Sequence, residues 1–151
     1  MIRGVSFEIP QKTTNTLWKI LSAIDISKYF WYCVKNQTEV WNNVFNNDFF
    51  SKEYYDGDSF SKCIRFDHYI VFLKLQAHSF PHFFHNIHSY DEFFKSDCQF
   101  IILAYDCEFV EIYIKDRIAA DSIFKRAKLL GYNNVHYITA SNDVRIKMDV
   151  L

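Results

Sequence analysis

Four of the six histidines fall within HSFPHFFHNIH, at His78, His82, His85 and His88. Imidazoles at this density suggest a metal site, with His82, His85 and His88 as candidate ligands, because neutral ring nitrogens bind zinc and its neighbours. Such a site gathers three or four ligands within about 2.0–2.3 Å of one ion. On a helix His78, His82 and His85 would share a face at i, i+4 and i+7, but Pro81 confines any helix to a start near Ser79 or Phe80 and leaves His78 outside it. His82, His85 and His88 then step by three and fan over about 120°. That spread suits a single ion poorly, and neither H-E-x-x-H nor C-x-x-C is present. The expectation is a solvent-facing loop leading into a capped helix, with no cofactor. A small metal-assisted hydrolase using His78–His88, with Asp91 or Glu92 as its carboxylate, is the alternative function.

Other groups carry weaker chemistry. Asp56-Gly57-Asp58 hints at a calcium loop but lacks the further acidic ligands, so it reads as a turn and helix cap. Cys107 with His68 or His136 would make a nucleophile–base pair, yet the adjacent Asp106 raises a thiol pKa rather than lowering it. Phe109, Glu111, Tyr113 and Lys115 alternate along one strand face and form a functional surface if no layer covers that face. Asn142, Asp143 and Arg145 follow the last strand as a turn or a polar ligand site. Trp41, among asparagines, is the tryptophan expected nearest the surface; with Phe45 it either closes the core or anchors a partner.

Composition narrows the classes. At 151 residues the chain is expected to form one α+β domain, 1–151, with a core large enough to need no staples. Aromatics make up 19% of it, with 16 Phe and 10 Tyr, more than such a core needs, so some rings reach the surface. A net charge of −1 disfavours general nucleic-acid binding. Only three glycines are present and no two are close, so phosphate-cradling loops are absent. No apolar run is long enough to span a bilayer, and Met1-Ile2-Arg3 leads straight into strand-like sequence. The expectation is a cytoplasmic protein with four reduced cysteines and no membrane partner.

The elements that position these residues follow from periodicity. GVSFEI alternates and stops at Pro10. Leu17, Ile20, Leu21 and Ile24 make a helical stripe capped by Thr14 or Asn15. A strand lies in KYFWYCVK, then a short helix or ordered loop in EVWNNVFNND. A short helix follows Gly57, and HYIVFLKLQA is a strand. Ser89 and Glu92 form a capping box. CQFIILAYDCEFVEIYIKD makes a hairpin around Asp106 and Cys107. Asp116 caps a helix ending at Gly131, and VHYIT is the last strand. The order β-α-β-(α)-β-α-β-β-α-β implies a mixed, partly antiparallel central sheet with packed helices, and the strand–helix–strand units suggest parallel crossovers.

Two stretches carry a resemblance. The opening R-G-V-S-F-E-I-P, and S-D-C-Q-F-I-I-L-A-Y-D-C-E-F-V-E-I-Y-I-K-D with L-G-Y-N-N-V-H-Y-I-T-A-S-N-D-V-R, resemble a family of small uncharacterised proteins from Gram-positive bacteria. The likeness covers the first ten residues and most of Ser96 to Arg145. It implies a bacterial, cytosolic origin and no transferable activity. With surplus aromatics and no catalytic motif, the leading expectation is a non-catalytic protein that binds another protein, as an immunity-type or regulatory factor. Its oligomeric state is left open.

Overall fold

A computed structural model describes residues 1–81 and 84–151. Its eight strands are β1 (Ile2–Glu8), β2 (Phe30–Cys33), β3 (Glu39–Trp41), β4 (Tyr54–Tyr55), β5 (Tyr69–His78), β6 (Cys98–Tyr105), β7 (Phe109–Ile114) and β8 (Asn133–Thr139). They form a sheet in the order β4-β2-β5-β6-β7-β1-β8, with β3 beside the first half of β5 and β2 beside its second half. Four helices, α1 (Thr16–Leu21), α2 (Gly57–Ile64), α3 (Tyr90–Lys95) and α4 (Arg117–Leu129), complete the α+β architecture.

Every pairing among the described residues is antiparallel. The crossover through α4 does join strands that run in the same direction, β7 and β8, but β1 lies between them and pairs with both. Gly4 allows this close packing: a Cβ there would lie 1.9 Å from the carbonyl oxygen of Ile112.

Strand alternation sorts the sheet into two faces. On the first, the cross-strand row Cys33–Leu75–Ile102–Ile112–Val5 is wholly buried against α1, α2 and α4. Trp31, fully buried, stacks on Phe60 of α2 at 4.3 Å. The second face carries the rows Lys74–Leu103–Glu111–Ser6–His136 and Gln76–Ile101–Tyr113–Gly4–Ile138. Ile87, Phe93 and Met148 cover its apolar members, so α3 and the C-terminal segment roof this face.

The helix ends show what the local sequence does. Asp56, Ser89 and Asp116 cap α2, α3 and α4 by accepting the backbone N–H of Ser59, Glu92 and Ala119. α1 is different: Asn15 makes no side-chain cap, and Leu17 N–H donates instead to Nε2 of the buried His68 at 3.2 Å. Its far end is held by Arg126, whose Nη1 donates to Lys19 O and Ser22 Oγ, so α1 stops at Leu21 and Ile24 lies beyond it. The β6–β7 turn has positive φ at both central residues, 54° at Asp106 and 60° at Cys107, the conformation that matches strand twist in tight hairpins. Gly131, at φ 77°, ends α4 as its position suggested.

Candidate functional site

The described histidines of the opening segment, His78, His85 and His88, do not form one centre. His78 ends β5, is buried, and its Nδ1 lies 3.0 Å from Asp97 Oδ1. The amide of Gln76 fixes the ring's tautomer: its Oε1 accepts from Ile87 N–H, so its Nε2 donates to His78 Nε2 at 3.2 Å and the His78 proton sits on Nδ1. His85 is exposed, with Nε2 3.8 Å from Glu92, and His88 is exposed, with Nδ1 3.7 Å from Asp149. His82 lies outside the described residues. Among the described residues, no group of three or more His, Cys, Asp and Glu is placed to hold a metal.

The β7 row is roofed rather than open. Phe109 packs on Tyr105 at 5.4 Å, and Tyr113 is fully buried. Glu111 accepts from Tyr105 OH at 2.8 Å and from Arg145 Nε at 2.8 Å. Tyr113 OH donates to Asp143, which also pairs with Arg3 at 3.0 Å. Burial and the neighbouring carboxylate push Tyr105 up to about 12. Asn142 turns back on β8: its Oδ1 accepts from Thr139 N–H and its Nδ2 donates to Tyr137 O. Between β8 and the segment after it lies an open groove of about 500 Å³ whose carboxylates are all engaged in this way.

Deeper under the same roof, Lys74 is fully buried and bonds Ile87 O and Asp149, 3.2 Å away. Burial lowers the Lys74 pKa against the opposing pull of Asp149. Burial also resists ionisation of Asp149, but hydrogen bonds from Gln37 and Lys74 outweigh it and keep that carboxyl below its usual range. Neither Lys74 nor Gln76 stood out in the sequence, although two polar residues inside HYIVFLKLQA break its apolar run.

The Trp41–Phe45 region forms an ordered loop. Trp41 is half-buried at the end of β3, with its indole N–H donating to Glu39. Asn42 organises the turn beyond it. Its backbone N–H donates to Asn46 O, its carbonyl accepts from Phe45 N–H, and its Oδ1 accepts from Val44 and Asn46 N–H. The loop presents Val44 and Phe45 at 70% and 72% exposure, with Phe45 at φ 62°. Phe66, at 71% exposure, lines an open groove with Asn42 and Asn43. Asparagine-rich turns are legible in sequence; the left-handed phenylalanine is not.

These features define an α+β protein with an antiparallel sheet, one polar roofed face and an exposed aromatic loop. The chain belongs to the family described as protein of unknown function DUF2691, whose model matches residues 2–149. It is similar to the uncharacterised protein YncE of Bacillus subtilis strain 168, 29% identical over 153 residues covering 99% of this chain and 100% of that protein. That relative is from a Gram-positive bacterium, in line with the resemblance read in the sequence. No solved structure matches. Among the described residues, no helix is long and apolar enough to cross a membrane.

Proposed function

We propose that this protein acts by binding another protein, a cytoplasmic one, through the loop that presents Val44 and Phe45. The observation that carries this reading is Phe45: a bulky residue in left-handed backbone conformation, its N–H donating to the Asn42 carbonyl at 3.0 Å, and left 72% exposed. Such a conformation costs free energy, and strain of this kind collects at functional positions. A backbone already fixed by the turn loses little entropy on docking, and aromatic anchors dominate interface energetics. An exposed aromatic anchor fits an apolar cleft of a partner, and an immunity-type or regulatory factor that blocks by occupancy would use it in this way.

The test is recovery of partners from the native cell with the wild type, Phe45→Ala and Ile118→Ala in parallel. Ile118 is a matched control at 76% exposure on α4. The expected result is a protein whose recovery falls about tenfold or more with Phe45→Ala, as for an anchor residue, and stays unchanged with Ile118→Ala. Equal recovery by all three overturns the proposal.

A further inference from the structure

We infer that the groove between α3 and the start of α4 binds an amphipathic carboxylate of the medium-chain fatty-acid type. The groove encloses about 390 Å³, within the range of small-ligand sites. Its floor is apolar: Ile114 is 2% exposed and Ala120 is fully buried. Tyr90 and Phe94 form one wall, with Phe94 left 57% exposed. Among the described residues, two basic side chains, Lys115 and Arg117, line it, and no carboxylate does.

The acids nearby are otherwise occupied. Asp116, between the two cations, turns away to cap Ala119 N–H at 2.9 Å. Asp121 takes Arg117 Nε at 3.2 Å, and Asp91 pairs with Lys95. Asp143 holds Arg3, whose guanidinium lies 4.1 Å from the Tyr90 ring. Donors are left over. Lys115 spends one hydrogen on Ser96 O, and Arg117, paired through Nε with Asp121 and 6.0 Å from the Tyr137 ring, makes no hydrogen bond from its terminal nitrogens among the described residues. The positive end of the α4 dipole lies at the same place. Burial lowers the Lys115 pKa, an effect that a bound anion reverses. An apolar floor with cations on one side matches a hydrocarbon chain carrying a single anionic head. Inorganic phosphate would leave the floor unfilled, and a neutral alkane would leave Lys115, which no carboxylate pairs among the described residues, unanswered.

Decanoate below its micellar concentration is the probe, titrated into the full chain by calorimetry with methyl NMR shifts as a second readout. Butyrate supplies the head without the chain, and decanol the chain without the head. The expected result is saturable one-to-one decanoate binding that shifts the Ile114 and Ala120 methyl signals. Arg117→Gln, an exposed change that leaves the fold intact, weakens it about tenfold, the scale of one charge-assisted hydrogen bond. Butyrate and decanol bind at least about tenfold more weakly by the same reasoning. Absence of saturable decanoate binding, decanol binding as well as decanoate, or an unchanged affinity in Arg117→Gln overturns the inference. A peptide carboxyl terminus that binds where decanoate does not overturns it equally.

Discussion

At the scale of single residues, Phe45 and His68 are placed against their own preferences, for different reasons. Phe45 sits at φ 62°, where a β-carbon is crowded and glycine is at ease. Phe45→Gly is therefore expected to raise folding stability by up to about 1 kcal/mol while abolishing partner capture. Denaturant unfolding beside the recovery assay checks both signs; a loss of stability would show that the ring packs for the fold. His68 is buried as a neutral acceptor for α1, and burial pushes its pKa down from 6.5 to about 4. A folded pKa below the unfolded value means that the unfolded chain takes up the proton first. Its contribution is thus fully present above about pH 6.5 and is lost as the pH falls through about 4, by up to about 3 kcal/mol. His68→Gln keeps an acceptor without the titration. Its stability is expected to fall less between pH 7 and pH 4.5 than that of the wild type. Parallel declines would place the acid sensitivity elsewhere.

At the scale of elements, the legible features are the local ones. The caps at Ser89 and Asp116, the hairpin at Asp106 and Cys107 and the stop at Gly131 all depend on a few adjacent residues, and each is found. Gly57, expected as a turn ahead of the next helix, is instead the first residue of α2, which Asp56 caps. The α1 cap is not where Thr14 and Asn15 suggest, because its acceptor, His68, lies 51 residues away from Leu17. The strand order is hidden for the same reason: nothing within β7, α4 and β8 encodes that β1 inserts between the two strands. The binding candidates divide likewise. Phe45 reaches the surface, as surplus aromatics suggested, whereas alternation alone could not reveal the roof over Tyr113. The edge strand β8 shows a further long-range device. Asn142 uses its side-chain amide as a miniature strand, taking Thr139 N–H and Tyr137 O, which would otherwise face an incoming chain. Asn142→Ala is expected to cost about 1 kcal/mol and to produce concentration-dependent self-association. Sedimentation over a range of concentrations checks this. A strictly monomeric variant would mean that the bulges in the β1–β8 pairing already suffice to protect the edge.

At the scale of the molecule, the two sides of the sheet are closed by different physics. The helical side is almost purely apolar. The other side sets a buried ammonium, two buried amides and a buried imidazole among its apolar residues; the ammonium and amides bond backbone from residues 85–88 and the chain end, and the imidazole bonds Gln76 and Asp97. Asp149 is the centre of that closure. It neutralises Lys74 and accepts from Gln37, while Gln37 in turn accepts from Val150 N–H. Deleting residues 148–151 removes Met148 from the second core and leaves Lys74 with only the carbonyl of Ile87. An uncompensated buried charge of this kind costs about 3–5 kcal/mol. Lys74→Met in the intact chain costs less, because Asp149 keeps Gln37 and lies near His88, close to solvent. Combined with the deletion, Lys74→Met is expected to recover part of the loss, because no charge is then stranded and the methionine fills the same space. Denaturant unfolding of the two single variants and the combination forms a complete cycle. Recovery assigns the role of the chain end to neutralising Lys74. If the combined variant is no more stable than the deletion, the chain end acts instead by burying apolar surface, and Met148 rather than Asp149 is the residue that closes the sheet.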